Sequence, residues 1–129
     1  MKLRFQSNSI RLRLKQAEVA QLVKTGRVQE KVIMGNGPWD VFHYAVEASH
    51  AVSKPQAILE KKGVLVQVPI GAIARWAESD EVGIEGKLRV GDEKELHVLI
   101  EKDFACVHGG THEENADTFP NPLAKTKKS

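Results

Sequence analysis

The 129-residue chain is 41% hydrophobic and 28% charged, which suits one compact domain and leaves too little material for two independent cores. Its 19 Lys and Arg against 17 Asp and Glu leave a net charge of +2, too small to attract a nucleic acid or a membrane at long range, so any anion site must come from local clustering. No run approaches the roughly 18 to 20 apolar residues that cross a bilayer, and MKLRFQSNSIRLRLK alternates charged with apolar residues instead of forming a signal-peptide block. A lone cysteine, Cys106, cannot close an internal disulfide, so a cytoplasmic, reducing environment is expected.

Leu3 and Phe5 alternate with Lys2, Arg4 and Gln6, and after Ser7-Asn8-Ser9 the alternation resumes with Ile10, Leu12 and Leu14 inward, which predicts a hairpin. Residues 15 to 25 put Val19, Leu22 and Val23 at helical spacing, and Gly26 suits the left-handed turn that ends a helix. Val28, Val32 and Met34 predict a third strand, Gly35-Asn36-Gly37-Pro38 a turn, and Phe42, Tyr44, Val46 and Ala48 a fourth strand.

Adding 54 to each position gives the same script again. Ala57 and Leu59 lead through Lys61-Lys62-Gly63 to Val64, Val66 and Val68. A helix opened by Pro69 then puts Ile73 and Trp76 inward. Val82, Ile84 and Leu88 follow, Gly91-Asp92 turns the chain, and Leu96, Val98 and Ile100 complete the set, with Val82 in the place of Val28 and Gly91 in that of Gly37. This gapless correspondence predicts an α+β, strand-dominated fold. A ββαββ unit used twice, in residues 1–54 and 55–108, builds one pseudo-two-fold domain with a shared core. Each unit is too small to bury its own strand faces, so a closed or partly closed barrel of about eight strands, with the helices over its openings, is the expected solution. Residues 109–129 read as an irregular tail whose KTKKS end is expected to be disordered.

The run VLVQVPIGAIARWAESDEVGIEG resembles the strand, proline-led helix, acidic turn and strand of the AbrB and MazE group of swapped-hairpin barrels, and SNSIRLRL resembles the hairpin turn and second strand of its antitoxin members. In that group two subunits interlock and the assembled surface binds DNA or a toxin. The resemblance therefore implies that residues 1 to 103 are two fused halves closing within one chain what those proteins close by dimerising. Lys15 stands where the helix-opening proline would be in the first copy, and Glu78-Ser79-Asp80-Glu81 lacks the group's glycines in the second. The stretch EKDFACVHGGTHEENADTFPNP is similar to the signature tail of a bacterial family of uncharacterised small proteins, a resemblance that carries no activity with it.

Lys2, Arg4, Arg11, Arg13 and Lys15 fall on the outward face of the first hairpin. Like charges opposed across two strands repel unless an anion or carboxylates such as Glu30 and Glu47 offset them, which makes these residues a candidate nucleic-acid or anion patch. The matching places in the second copy hold Gln56, Ile58, Leu65 and Gln67, so the patch has no symmetric counterpart. Ile58 and Leu65 would instead expose apolar surface, to be covered by the tail with its Phe104, Phe119, Pro120 and Pro122, or by a homodimer contact.

His43 and His97 recur at equivalent positions, each four residues before a glutamate. Such a spacing on a strand spans about 13 Å, whereas ligands lie within about 2.2 Å of one metal, so His43 and Glu47 cannot share an ion. In the tail, Cys106, His108, His112 and Glu113, with Glu114 and Asp117 nearby, supply ligand types suited to zinc or a similar transition metal. No phosphate-cradling glycine loop, serine-centred nucleophile elbow or paired CxxC occurs, which points away from the commonest enzyme classes. The expectation is a binding module contacting a protein or nucleic-acid partner. The alternative is a metal-dependent protein or enzyme using the tail cluster.

Overall fold

The computed structural model describes residues 1–104 and 116–121. In chain order the elements are β1 (Lys2–Gln6), β2 (Ser9–Leu14), α1 (Gln16–Thr25), β3 (Arg27–Ile33), β4 (Val41–Ser49), β5 (Gln56–Glu60), β6 (Gly63–Pro69), α2 (Ile70–Glu78), β7 (Gly83–Val90) and β8 (Lys94–Lys102). The doubled strand-strand-helix-strand-strand order follows the sequence pattern. Among the described residues no helix is long and apolar enough to cross a membrane.

The expected barrel does not form. The strands build two four-stranded mixed sheets, β1-β2-β8-β7 and β3-β4-β6-β5, and each sheet joins one hairpin from each half of the chain. Face packing removes the need for closure: Leu12, Leu14, Val98 and Ile100 from the first sheet, Val46, Val66 and Val68 from the second, and Leu22, Ile73 and Trp76 from the helices form one buried cluster, so the apolar faces cover each other without edge pairing. The edge strands β1, β3 and β7 carry Lys2, Arg4, Arg27, Lys31, Lys87 and Arg89, and charges there discourage further strand pairing.

The two central ladders share one register under the shift of 54. Parallel β2 and β8 set Ser9 opposite His97, and parallel β4 and β6 set Gly63 opposite His43, which is the same pair with the halves exchanged. A Cβ on Gly63 would sit 1.7 Å from the His43 carbonyl oxygen, so this close parallel pairing requires glycine.

The correspondence is not gapless after the helices. Val28 pairs with Val46, but in the second copy Ile84, not Val82, pairs with Ile100, a slip of two residues. The cause lies at the helix ends. Gly26 closes α1 in the left-handed conformation, φ 82°, and β3 starts at the next residue. α2 has no such glycine; it ends at an extended Ser79, and the chain crosses to β7 through residues 79–82. That linker is held by the Trp76 indole N–H, which donates to the Val82 carbonyl at 3.1 Å, and by Lys102 Nζ, which donates to the Ser79 carbonyl at 2.6 Å. A two-residue slip keeps the pleat in phase, so inward positions stay inward from Ile84 onward. Val82 itself is 48% exposed. Val23, expected inward, is exposed as well, and α1 buries Val19 and Leu22.

The described part of the tail lies against the start of α1 and the end of β8. Gln16 N–H donates to the Asp117 carbonyl and Ala17 N–H to the Asp117 carboxylate, both at 3.0 Å. Phe119 N–H donates to the Asp103 carbonyl at 2.8 Å, and the Phe119 ring meets Phe104 edge-on at 6.2 Å. Its expected place as a cover for Ile58 and Leu65 is therefore not where residues 116–121 sit, because the open amides of α1 and the Phe104 ring offer polar and apolar partners together. Cys106, His108, His112 and Glu113, with Glu114, lie outside the described residues.

Candidate anion-binding face

Burial alternates along β2, with Ile10, Leu12 and Leu14 buried, so Ser9, Arg11 and Arg13 point out of the first sheet. The ladders place them in level rows across the four strands: Lys2–Arg13–Glu101–Gly83, Arg4–Arg11–Leu99–Glu85, and Gln6–Ser9–His97–Lys87. The next row pairs Glu95 with Arg89. The predicted residues Lys2, Arg4, Arg11 and Arg13 are thus brought together on one outer surface. Lys15 caps α1 just beyond it, its backbone N–H donating to Glu18 at 2.9 Å.

The offsetting carboxylates are not Glu30 and Glu47. Glu101 from β8 accepts both Arg11 Nε, at 2.8 Å, and Arg13 Nε, at 3.3 Å, while the buried Asp103 lies 3.1 Å from Lys2 Nζ. One carboxylate between two guanidinium groups leaves an excess of positive charge. Arg4, directly opposite Arg11, has no hydrogen bond or ion pair to any described residue. Two shallow depressions open on this surface. One of about 120 Å³ lies among Arg4, Gln6, Ser9, Arg11, His97 and Leu99, and one of about 290 Å³ is bounded by Lys2, Leu3, Arg4, Arg11 and Arg13. His97 Nε2 lies 3.0 Å from Glu85 Oε2, so this histidine pairs across strands and not with Glu101, four residues on.

The second sheet carries the same scaffold with different chemistry. Its outer rows read Arg27–Glu47–Gln67–Gln56, Gln29–Ala45–Leu65–Ile58 and Lys31–His43–Gly63–Glu60. Arg27 and Glu47 neutralise each other at 2.8 Å. Ile58 stands where the first sheet has Arg4, and Leu65 where it has Arg11. Leu65 is covered, with 8% of its surface accessible, whereas Ile58 is 41% exposed.

A polar cluster on the inner side went unread in the sequence. Glu30 and Tyr44 are cross-strand partners. The Tyr44 hydroxyl donates to Glu30 at 2.9 Å, and the amino group of Met1 contacts both Glu18 and Glu30. Burial and the neighbouring Glu30 carboxylate push the Tyr44 phenol up to about 12. Burial alone would raise Glu30, but hydrogen bonds from the Met1 amino group and Tyr44, with the ammonium charge, outweigh it and hold Glu30 below the ordinary carboxylate value. The legible signal was a lone carboxylate at an inward strand position, between Val28 and Val32. Among the described residues no group of three or more His, Cys, Asp or Glu side chains converges to hold a metal ion.

A family described as a family of unknown function (DUF7009) matches residues 1–123. The match spans the EKDF…FPNP stretch and gives no link to the AbrB and MazE group. No curated protein and no solved structure matches the chain.

Proposed function

The chain belongs to DUF7009, and from that premise we propose that it is a binding module whose first sheet docks the phosphate backbone of a nucleic acid through Lys2, Arg4, Arg11 and Arg13. The carrying observation is the opposed Arg4–Arg11 pair, one member unpartnered and the other sharing Glu101 with Arg13. A phosphate between two guanidinium groups relieves their repulsion and accepts from both, which makes it the matching ligand.

The outward rows offer Leu99 and the His97 imidazole, which pairs with Glu85, but no Phe, Tyr or Trp, so the contact is mainly backbone-directed and weak in sequence preference. Two to four phosphate contacts give a log affinity against log salt slope of about −2 to −4 on duplex DNA. Replacing Arg4 and Arg11 together by Glu is expected to flatten that slope by about two and to abolish binding at moderate salt, as measured by fluorescence anisotropy. Unchanged affinity and slope in the double variant would remove the proposal.

A further inference from the structure

We infer that the nucleic acid leaves the Arg4–Arg11 pair along a diagonal of the first sheet and reaches a second phosphate subsite built from Lys54, Lys87, Arg89 and Lys94. The inference rests on the nucleic-acid reading above and adds to it a second contact, a direction and a minimum length of ligand.

The subsite lies at the corner of the outer face farthest from Lys2 and Arg13. Lys87 and Arg89 point outward from β7, the edge strand opposite β1, in the rows Gln6–Ser9–His97–Lys87 and Glu95–Arg89. Lys94 opens β8, and Lys54 reaches the β7 edge, its Nζ donating to the Lys87 carbonyl at 3.0 Å. Arg89 donates to the Asp92 carbonyl at 3.1 Å. These carbonyls are uncharged and leave both cations unneutralised. All four basic side chains are exposed around one depression of about 300 Å³. Glu93 and Glu95 share it, and neither forms an ion pair with a described base. Four cations against two carboxylates leave the depression positive, and phosphate is the anion that takes several such donors at once.

The placement of acids sets the direction. Between the two basic clusters the face carries Ser9, Leu99 and His97. Glu101, held by Arg11 and Arg13, and Glu85, held by His97, lie on one side of this diagonal, with Glu95 on the other. A backbone laid along β8 would meet Glu101 and Glu95, and one laid along a row would run into Glu101 or Glu85, whereas the diagonal passes between them. From Arg11 to Arg89 it covers two strand spacings and two rows, about 17 Å at about 4.8 Å per strand and about 3.4 Å per residue. That is the axial length of about five base pairs. The second sheet has no such track, since Ile58, Leu65 and Ile33 hold the places of Arg4, Arg11 and Arg89.

Fluorescence anisotropy on a duplex of about 16 base pairs, long enough to span both clusters, tests the inference over a salt series. The second cluster is expected to add about two to the salt slope set by the first, and Lys87→Glu with Arg89→Glu to remove that increment and weaken binding about tenfold or more. Lys61→Glu with Lys62→Glu, on the exposed β5-β6 turn of the other sheet, changes the net charge equally and is expected to leave the slope as it is. All the substituted side chains are exposed, so the circular dichroism of each variant should match the wild type. If the Lys87 and Arg89 variant binds as the wild type does while the Arg4 and Arg11 variant fails, the second subsite is overturned and the first stands. Equal losses from the Lys87 and Arg89 variant and the Lys61 and Lys62 variant reduce the effect to net charge and overturn it as well. A wild-type chain that binds no duplex removes both.

Discussion

Tyr44 is the single tyrosine in the chain, so the ultraviolet absorbance of its phenolate reports one site. Burial together with the Glu30 carboxylate keeps the proton on, and the titration midpoint is expected near 12, about two units above that of an exposed tyrosine. Glu30→Gln removes the charge and not the burial, so the midpoint should fall part of the way. A folded phenol with a raised pKa contributes stability that is present below about pH 10 and lost as pH rises towards 12. Glu30 works in the other direction, its depressed pKa giving stability that disappears as pH falls through the carboxylate range. Tyr44→Phe should therefore weaken the alkaline fall in stability, read by unfolding at a series of pH values. An unchanged alkaline limb would show that the cluster contributes nothing to folding.

Among the elements, α1 is informative because residues far along the chain finish its first turn. Asp117 supplies a backbone carbonyl to Gln16 and a carboxylate to Ala17, and the Gln16 side chain returns a hydrogen bond to the Thr118 carbonyl at 2.8 Å. Asp117→Ala removes the carboxylate from an N-terminal turn, where capping is worth about 1 kcal/mol, and is expected to lower stability by about that much in urea unfolding. The position would be neutral if the tail only rested on the surface. α2 shows the converse case, in which a buried aromatic replaces a turn. Trp76 holds the linker that stands in for Gly26, and this linker, with the two-residue slip it produces, was not legible because a helix end in an extended conformation leaves no glycine to mark it. The strands and helices themselves were legible, since period-two and helical spacing record directly which face each residue turns inward.

At the scale of the whole molecule, the halves are not separable layers. Each sheet takes β1-β2 or β3-β4 from residues 1–54 and pairs it with β7-β8 or β5-β6 from the rest. Neither half alone has a complete sheet or a complete core, so fragments cut between Ser53 and Lys54 are each expected to lack a cooperative thermal transition when dilute. Mixed in equal amounts, they should recover the circular dichroism of the intact chain. Two fragments that fold separately and do not associate would show that the shared interior is dispensable. The same exchange explains why one scaffold presents two unlike surfaces: outward positions lie outside the shared core, so they can differ between the two similar units, with arginine at 4 and 11 on one sheet and isoleucine and leucine at 58 and 65 on the other.

The sequence by itself determined the element order, the doubling and the membership of Lys2, Arg4, Arg11 and Arg13 in one face, because each of these depends on local alternation and on a shift of 54 that any reader of the chain can apply. Tertiary structure alone decided that the eight strands stop at two sheets instead of closing, that Glu101 and not Glu30 or Glu47 sits among the arginines, and that Glu30 turns inward to Tyr44. Those outcomes depend on which strand lies beside which, and a parallel pairing between β2 and β8, more than 80 residues apart, is set by the free energy of the assembled core and leaves no mark in the local pattern.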